Sequence, residues 1–250
     1  KKILKHLKII KPDIVLHLAS LNNSYIKRIN KDDYKYIYLQ NLNISKNLVN
    51  SLISQKIRTK FIFAGSSLMF GNTKKKIVSE KNKLKTKEYY GKYKLDFYKF
   101  LEKTKKYNYF ECSTVLLFNH DSAIRNKKFL IMKIIQAFKQ KNINFIKKIY
   151  FENISGDFSH ADDICEGIFK LSVYKKKIDK IILSSGKRFY LNQLIKYLEK
   201  RLNFKINNKK VSKNKANYKF IGSNKLAKKI LNYKSRKNLI NVCDDILNKT

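Results

Sequence analysis

Tyr90 and Lys94, in the run YYGKYKLDFYKF from Tyr89 to Phe100, stand four residues apart. On a helix that spacing puts both side chains on one face. A phenol beside an ammonium is an acid/base pair. To work near neutrality the phenol must lower its pKa from ~10 by about three units, or ~4 kcal/mol. An ammonium ~4 Å away supplies a comparable ~4 kcal/mol at an effective dielectric of ~20. A serine hydroxyl from the end of the preceding run FIFAGSS, which closes on Ser66 and Ser67, could orient a hydroxyl giving up its proton to the pair. The bland alternative makes Tyr90 core packing and leaves Lys94 in solvent. Spacing alone does not choose, because lysine fills about one position in five and the sixteen tyrosines give about three such pairs by accident.

The surrounding elements narrow the choice. ILKHLKII has helical spacing and stops at Lys11-Pro12, the sole proline. DIVLHLAS (Asp13–Ser20) reads as a short buried strand, NLNISKNLVNSLISQ as an amphipathic helix, and KFIFAGSS (Lys60–Ser67) as a second strand ending in small residues. The helix around Tyr90 follows, then YFECSTVLLFN as a third strand. Apolar strands separated by helices predict an α/β fold with a parallel sheet covered on both faces. Ligands of such sheets bind at the carboxyl ends of the strands, which here are HLAS, AGSS and LFNH. Further on, FLIMKIIQAFKQ is a helix, and DFSHADDICEGIFKLS is a polar turn opening a helix. KIILSSGKRFYLNQLIKYLEKRL reads as strand, glycine turn and helix. SNKLAKKILNY reads as a helix capped by Ser223 or Asn224. Lys205–Lys219 reads as a lysine- and asparagine-rich surface loop with a short strand.

A formal charge of +39 raises nucleic-acid binding. Only six of the 57 basic residues are Arg, the side chain suited to bidentate phosphate and base contacts. The lysines run from end to end beside abundant Asn and Ile, as compositional drift would leave them, so nucleic acid is not the expected partner. Cys112, Cys165 and Cys243 form neither a disulfide framework nor a metal-site spacing, and the four histidines show no metal pattern. A reducing cytoplasm, no bound metal and no membrane span are the expectations.

Taken in order, these segments resemble the extended short-chain dehydrogenase/reductase family of NAD-dependent epimerases and dehydratases, and within it the GDP-mannose 4,6-dehydratases most closely. KPDIVLHLAS resembles that family's fourth strand, YIYLQNLNISKNLVNSL its Asn-containing helix, and FIFAGSSLMFG its strand ending in Ser/Thr-x-x-x-Tyr-Gly. YGKYKL matches the Tyr-x-x-x-Lys helix. LLFNHDSAIRNKKFLIMKI resembles the dehydratases' Asn-His-Glu-Ser segment, which few sister families share. GDFSHADDICEGIFKL and GSNKLAKKILNYKSRKNL resemble the two C-terminal motifs.

The resemblance implies a Rossmann-like domain over residues 1–118, lacking its first strands. A smaller substrate-binding α/β region would cover 119–250, with 157–185 returning to the Rossmann domain. It implies that Tyr90 takes the sugar C4 hydroxyl proton, that Lys94 lowers its pKa and holds the nicotinamide ribose, and that Ser66 is the third catalytic residue. Leu18, Ala19, Ser20, Leu21 and Asn22 would line an NADP or NAD dinucleotide, with Tyr38, His120 and Arg125 also contacting it. Ser67, Asn119 and Lys133 would meet a nucleotide-diphosphate sugar, for which GDP-mannose is the first candidate, in a cytoplasmic homo-oligomer. His120 and His160 could equally be satisfied helix-boundary histidines, and Lys133 merely solvated.

Three positions depart from the family. Leu68 stands where the dehydratases have a glutamate, which puts water elimination in doubt, since an acid/base group contributes ~10²–10⁴-fold. Gly156 and Met132 replace two arginines expected to grip diphosphate. The seven glycines form no glycine-rich phosphate loop, which is expected if the chain begins just before the family's fourth strand. The function expected is nucleotide-sugar modification by a lyase-like dehydratase. Epimerisation or 4-keto reduction, needing no carboxylate at position 68, is the alternative. A non-catalytic nucleotide-sugar or nucleic-acid binding protein is the alternative of another class.

Overall fold

The computed structural model describes residues 2–21, 30–206 and 217–249. In chain order the first elements are α1 (Lys2–Ile10), β1 (Ile14–His17), α2 (Lys31–Ser54), β2 (Thr59–Ala64) and a 3-10 turn (Ser67–Phe70). Next come β3 (Ile77–Val78), α3 (Tyr89–Thr104), β4 (Phe110–Leu117), β5 (Asn119–Asp121), α4 (Leu130–Lys139) and α5 (Ile143–Phe151). Then follow β6 (Ile154–Gly156), β7 (Phe158–His160), α6 (Ala161–Val173), β8 (Lys180–Leu183), β9 (Phe189–Tyr190) and α7 (Leu191–Arg201). The last are β10 (Asn217–Tyr218), β11 (Ile221–Gly222), α8 (Lys225–Leu231) and α9 (Leu239–Asn248).

The chain divides into two compact units. The first comprises Lys1–Thr73, Glu80–Leu117 and Ile168–Leu183. Its four-stranded sheet has the order β1-β2-β4-β8, every neighbour parallel. The expected parallel sheet is therefore present. Parallel strands need helical crossovers that cover the faces, and the inner strands are apolar to match: Phe61, Ile62 and Phe63 of β2 are fully buried. Around them Val49, Leu52, Tyr93, Phe97, Leu101 and Phe110 make the core. β1 alternates differently, with Ile14 and Leu16 exposed and His17 buried.

The strands at Asp13 and Lys60 come out shorter than expected, because their last residues turn into loops at the carboxyl end of the sheet. The helix read from Asn41, with the family-like segment from Tyr36, starts earlier still, at Lys31. A capping box sets that start: Asp33 N donates to Asn30 Oδ1 at 2.9 Å and Asn30 N to Asp33 Oδ2 at 2.9 Å.

The second unit comprises Lys74–Ser79, Phe118–Gly167 and Ser184–Thr250. Its core joins α4, α5, α7 and α9 through Ile131, Ile135, Phe138, Ile146, Leu194, Leu198, Val242 and Ile246. Short strands pair across long separations: β11 with β3, β5 with β7, and β6 between β10 and β9. Asp157, 1% exposed, ties two turns together. Its carboxylate accepts from the Ser185 amide and hydroxyl, the Gly186 amide and the Gly222 amide. The cap expected on α8 is a correction. Asn224 sits at the cap position but makes no cap bond, because its amide donates to the Ser184 and Ser185 carbonyls instead.

Candidate active site

The first unit places Tyr90 and Lys94 in the opening turns of α3. Lys94 is 1% exposed, so the bland reading that left it in solvent does not hold. Its Nζ lies 5.4 Å from the Tyr90 ring centroid, 5.0 Å from that of Tyr93 and 4.8 Å from that of Phe63. Among the described residues no carboxylate pairs with it. Burial without a counter-charge disfavours the ammonium and pushes the Lys94 pKa down to about 7. The ring faces return part of that cost, since a desolvated cation over an aromatic face gains ~2 kcal/mol.

The same Tyr-x-x-x-Lys spacing occurs at Tyr233 and Lys237. There the backbone is not helical, and Lys237 donates to Asp162 Oδ2 at 2.7 Å. Spacing was background, and the helix separates the two pairs.

β2 ends at Ala64, and the chain crosses the top of the sheet through Gly65 and Ser66 into the 3-10 turn. Ser66 caps this turn, its Oγ accepting from the Leu68 amide at 3.2 Å. The turn lies against α3 so closely that a Cβ on Gly91 would stand 2.9 Å from the Leu68 carbonyl oxygen. The serine turn and the Tyr90 turn are thus neighbours because position 91 has no side chain. Ser66 and Ser67 are half-buried, and Leu68 is 40% exposed.

The loop after β1 carries Leu18 and Leu21, each 51% exposed, with Ala19 exposed and Ser20 half-buried between them. Asn41 of α2 holds its end, accepting from the Leu21 amide at 2.8 Å and donating to the Leu21 carbonyl at 2.9 Å. Asn22 lies outside the described residues. Tyr38 is committed within the unit, donating to Asp96 Oδ2 on α3 at 2.8 Å. Burial, then Asp96, pushes its phenol up to about 12.

The remaining candidates stand on the second unit. Asn119 donates to the Asp157 carbonyl at 3.1 Å. His120 bonds the Phe118 carbonyl through Nδ1 at 2.8 Å, and burial lowers its pKa. Arg125 stacks on Phe129 at 3.7 Å and faces Asp121 at 3.4 Å. Burial raises the Asp121 carboxyl to about 6 despite that guanidinium. Lys133 is exposed on α4. Beside it Met132 is 7% exposed in the apolar core. Gly156 is buried within β6. His160 is a helix-boundary histidine: Nδ1 accepts from the Asp162 amide at 3.1 Å and Nε2 donates to Asp245 at 2.9 Å.

Sequence reasoning passed over His17 and Tyr93, which lie beside Lys94 in the core, and Ser45, which bonds both. A histidine inside the apolar run IVLHLA was the available signal. Among the described residues no His, Cys, Asp or Glu cluster could hold a metal ion. None of the helices searched among them is long and apolar enough to cross a membrane.

The family model for GDP-mannose 4,6 dehydratase matches residues 1–244. No curated protein matches the sequence. Among solved structures, UDP-glucuronic acid 4-epimerase from Bacillus cereus, in complex with NAD, superposes with a TM-score of 0.78 at 18% identity. That match covers 99% of this chain and 75% of the other. A UDP-glucose 4-epimerase gives 0.79 at 16% identity, covering 98% and 79%. RMD from Pseudomonas aeruginosa, complexed with NADPH, gives 0.74 at 15% identity, covering 95% and 80%. At these identities the likeness shows the fold.

Proposed function

This chain belongs to the GDP-mannose 4,6-dehydratase family, among the NAD-dependent epimerases and dehydratases of the extended short-chain dehydrogenase/reductase type, and from that premise we propose that it oxidises C4 of a nucleotide-diphosphate sugar. The observation that carries the proposal is Lys94, a buried ammonium with no carboxylate partner among the described residues, held against the Tyr90 ring one helical turn away.

A nicotinamide cofactor, NAD or NADP, would supply the hydride acceptor when bound. The residues fit its nicotinamide-ribose end: an unneutralised buried ammonium is an apt donor to ribose hydroxyls, and the exposed Leu18–Leu21 loop borders the carboxyl end of the sheet. Within the chain, Tyr90 receives the C4 hydroxyl proton as the carbon is oxidised. The Lys94 charge stabilises the phenolate that must precede this. The Ser66 hydroxyl holds the C4 oxygen in line with the phenol. The proton transfer by Tyr90 is worth ~10²–10⁴-fold. Ser67, Asn119 and Lys133 are proposed sugar-nucleotide contacts, and Leu18 to Asn22, Tyr38, His120 and Arg125 cofactor contacts.

GDP-mannose is the first substrate to try. Incubating the full-length protein with NADP and GDP-mannose, and following the product by mass, tests the reading. A change in the sugar that Tyr90→Phe abolishes supports it, and unchanged sugar with every nucleotide sugar offered opposes it.

Leu68 favours a second reading. It places an exposed leucine where elimination would need a carboxylate, so an epimerase or 4-keto reductase that stops short of water loss fits the same three residues. Cytoplasmic location and homo-oligomerisation accompany either reading as proposals.

A further inference from the structure

Beside Lys94 lies a chain of polar groups that the proposed chemistry does not use. His17 is 6% exposed. Its ring packs among Phe61, Phe63 and Phe97 with centroids 5.8 Å away in each case. His17 Nε2 meets Ser45 Oγ at 2.7 Å, and the same oxygen meets the Tyr93 hydroxyl at 2.9 Å. Ser45 donates its one proton to the Asn41 carbonyl at 2.7 Å.

That count fixes every hydrogen. With the serine proton spent on Asn41, both remaining partners must donate, His17 from Nε2 and Tyr93 from its hydroxyl, into the two lone pairs of Ser45. Nε2 therefore carries a hydrogen, as it does in the neutral Nε2–H tautomer. Burial, then the Lys94 charge, pushes its pKa down to about 4, in keeping with that form.

The network joins β1, α2 and α3, and it reaches two of the three rings around Lys94. Phe63 stacks on His17 at an interplanar angle of 27°. Tyr93, fully buried, is tethered through Ser45 to the same imidazole. Among the described residues the titratable groups facing the ammonium are His17 from β1 and Tyr90 and Tyr93 from α3. α2 contributes Ser45, and β2 contributes Phe63.

We propose that His17, Ser45 and Tyr93 are positioning residues for Lys94, fixing two walls of an aromatic cage that holds its ammonium beside Tyr90. This deepens the site described above and rests, for its catalytic meaning, on the reading of Lys94 as the partner of Tyr90. A tethered Tyr93 cannot swing aside, so water stays out and the ammonium keeps one place. Without the tether the wall loosens, water reaches Nζ and the lysine returns toward ordinary behaviour.

The test titrates the full chain with 15N-labelled lysine by NMR, without sugar or cofactor, assigning Lys94 by Lys94→Arg. One lysine should titrate near neutrality while the rest hold their protons to about pH 10. Tyr93→Phe keeps the ring and removes only the hydroxyl, so the fold should survive. It should raise the Lys94 midpoint by at least about one pH unit, a tenfold change in proton affinity. Ser45→Ala should do the same, and Ser45→Thr, which restores a hydroxyl, should return the midpoint to the wild-type value. A midpoint unmoved in folded Tyr93→Phe overturns the proposal and leaves the network as packing. So does a wild-type Lys94 that titrates with the other lysines. Because no turnover is read, a cage confirmed here beside a fully active Tyr90→Phe would reject the catalytic reading while the positioning network stands.

Discussion

Lys94 decides how the site is understood, because a buried ammonium costs stability that only a function or a compensating contact would retain. Its pKa is about 7 in the folded chain against 10.5 as the ordinary value. Below about pH 7 both folded and unfolded chains carry the proton, and folding bears the full cost of burying the charge. As pH rises from about 7 to about 10.5 the folded chain has shed the proton first, and the cost declines to nothing. Lys94→Met should therefore raise stability by on the order of a few kcal/mol near pH 6, with the advantage fading toward pH 10 in denaturant unfolding. A destabilised variant at pH 6 would mean that the ammonium is better solvated than the geometry shows. Leu68 is the second deciding residue. Leucine exchanges no proton, so GDP-mannose should yield little 4-keto-6-deoxy product with the unmodified protein. Leu68→Glu should raise that yield toward the ~10²-fold lower end of an acid/base contribution, measured by product mass. Efficient dehydration without the change would assign the role to another group, such as Ser67 with a bound water.

Among the elements, the 3-10 turn and α3 approach each other closely at Gly91. Gly91→Ala would set a methyl 2.9 Å from the Leu68 carbonyl and 3.1 Å from two Thr86 side-chain atoms. Backbone must move, so the substitution should destabilise by about 1–3 kcal/mol and separate Ser66 from Tyr90. Gly156→Ala, whose added Cβ meets nothing nearer than 3.4 Å, is the matched control and should be nearly neutral. Unfolding midpoints of the two variants check this, and equal midpoints would contradict it. The parallel sheet was legible beforehand because buried parallel strands are continuous apolar runs, and FIFA and VLLF leave few other readings. Most short strands were not: Ile77 pairs with Ile221, and two-residue strands have no period to detect. The short strand expected within Lys205–Lys219 is present at Asn217–Tyr218, while 207–216 lie outside the described residues. α5 and α9 escaped notice too, although Asn142 and Asn238 cap them with side-chain bonds. Tyr90 and Lys94 could be found from spacing together with the serine loop. Their cage could not, since nothing local links His17, Ser45 and Tyr93 until β1, α2 and α3 pack.

For the whole molecule the charge of +39 is the most conspicuous property, and the two units give it no assigned role. If the lysines are compositional drift on solvated faces, DNA binding should be weak, without sequence preference, and lost steeply with salt as counterions return. Tight binding to one sequence at physiological salt, in a competition assay, would overturn the enzyme-first reading. The central claim is that Tyr90, Lys94 and Ser66 remove hydrogen from C4 of a nucleotide sugar. The most direct test gives the full-length protein NADP and GDP-mannose deuterated at C4, quenches within a turnover, and locates the deuterium. Deuterium should appear in the reduced cofactor, and Tyr90→Phe should reduce the rate at least about 10²-fold. Deuterium retained at C4 while the sugar is nonetheless altered would contradict it.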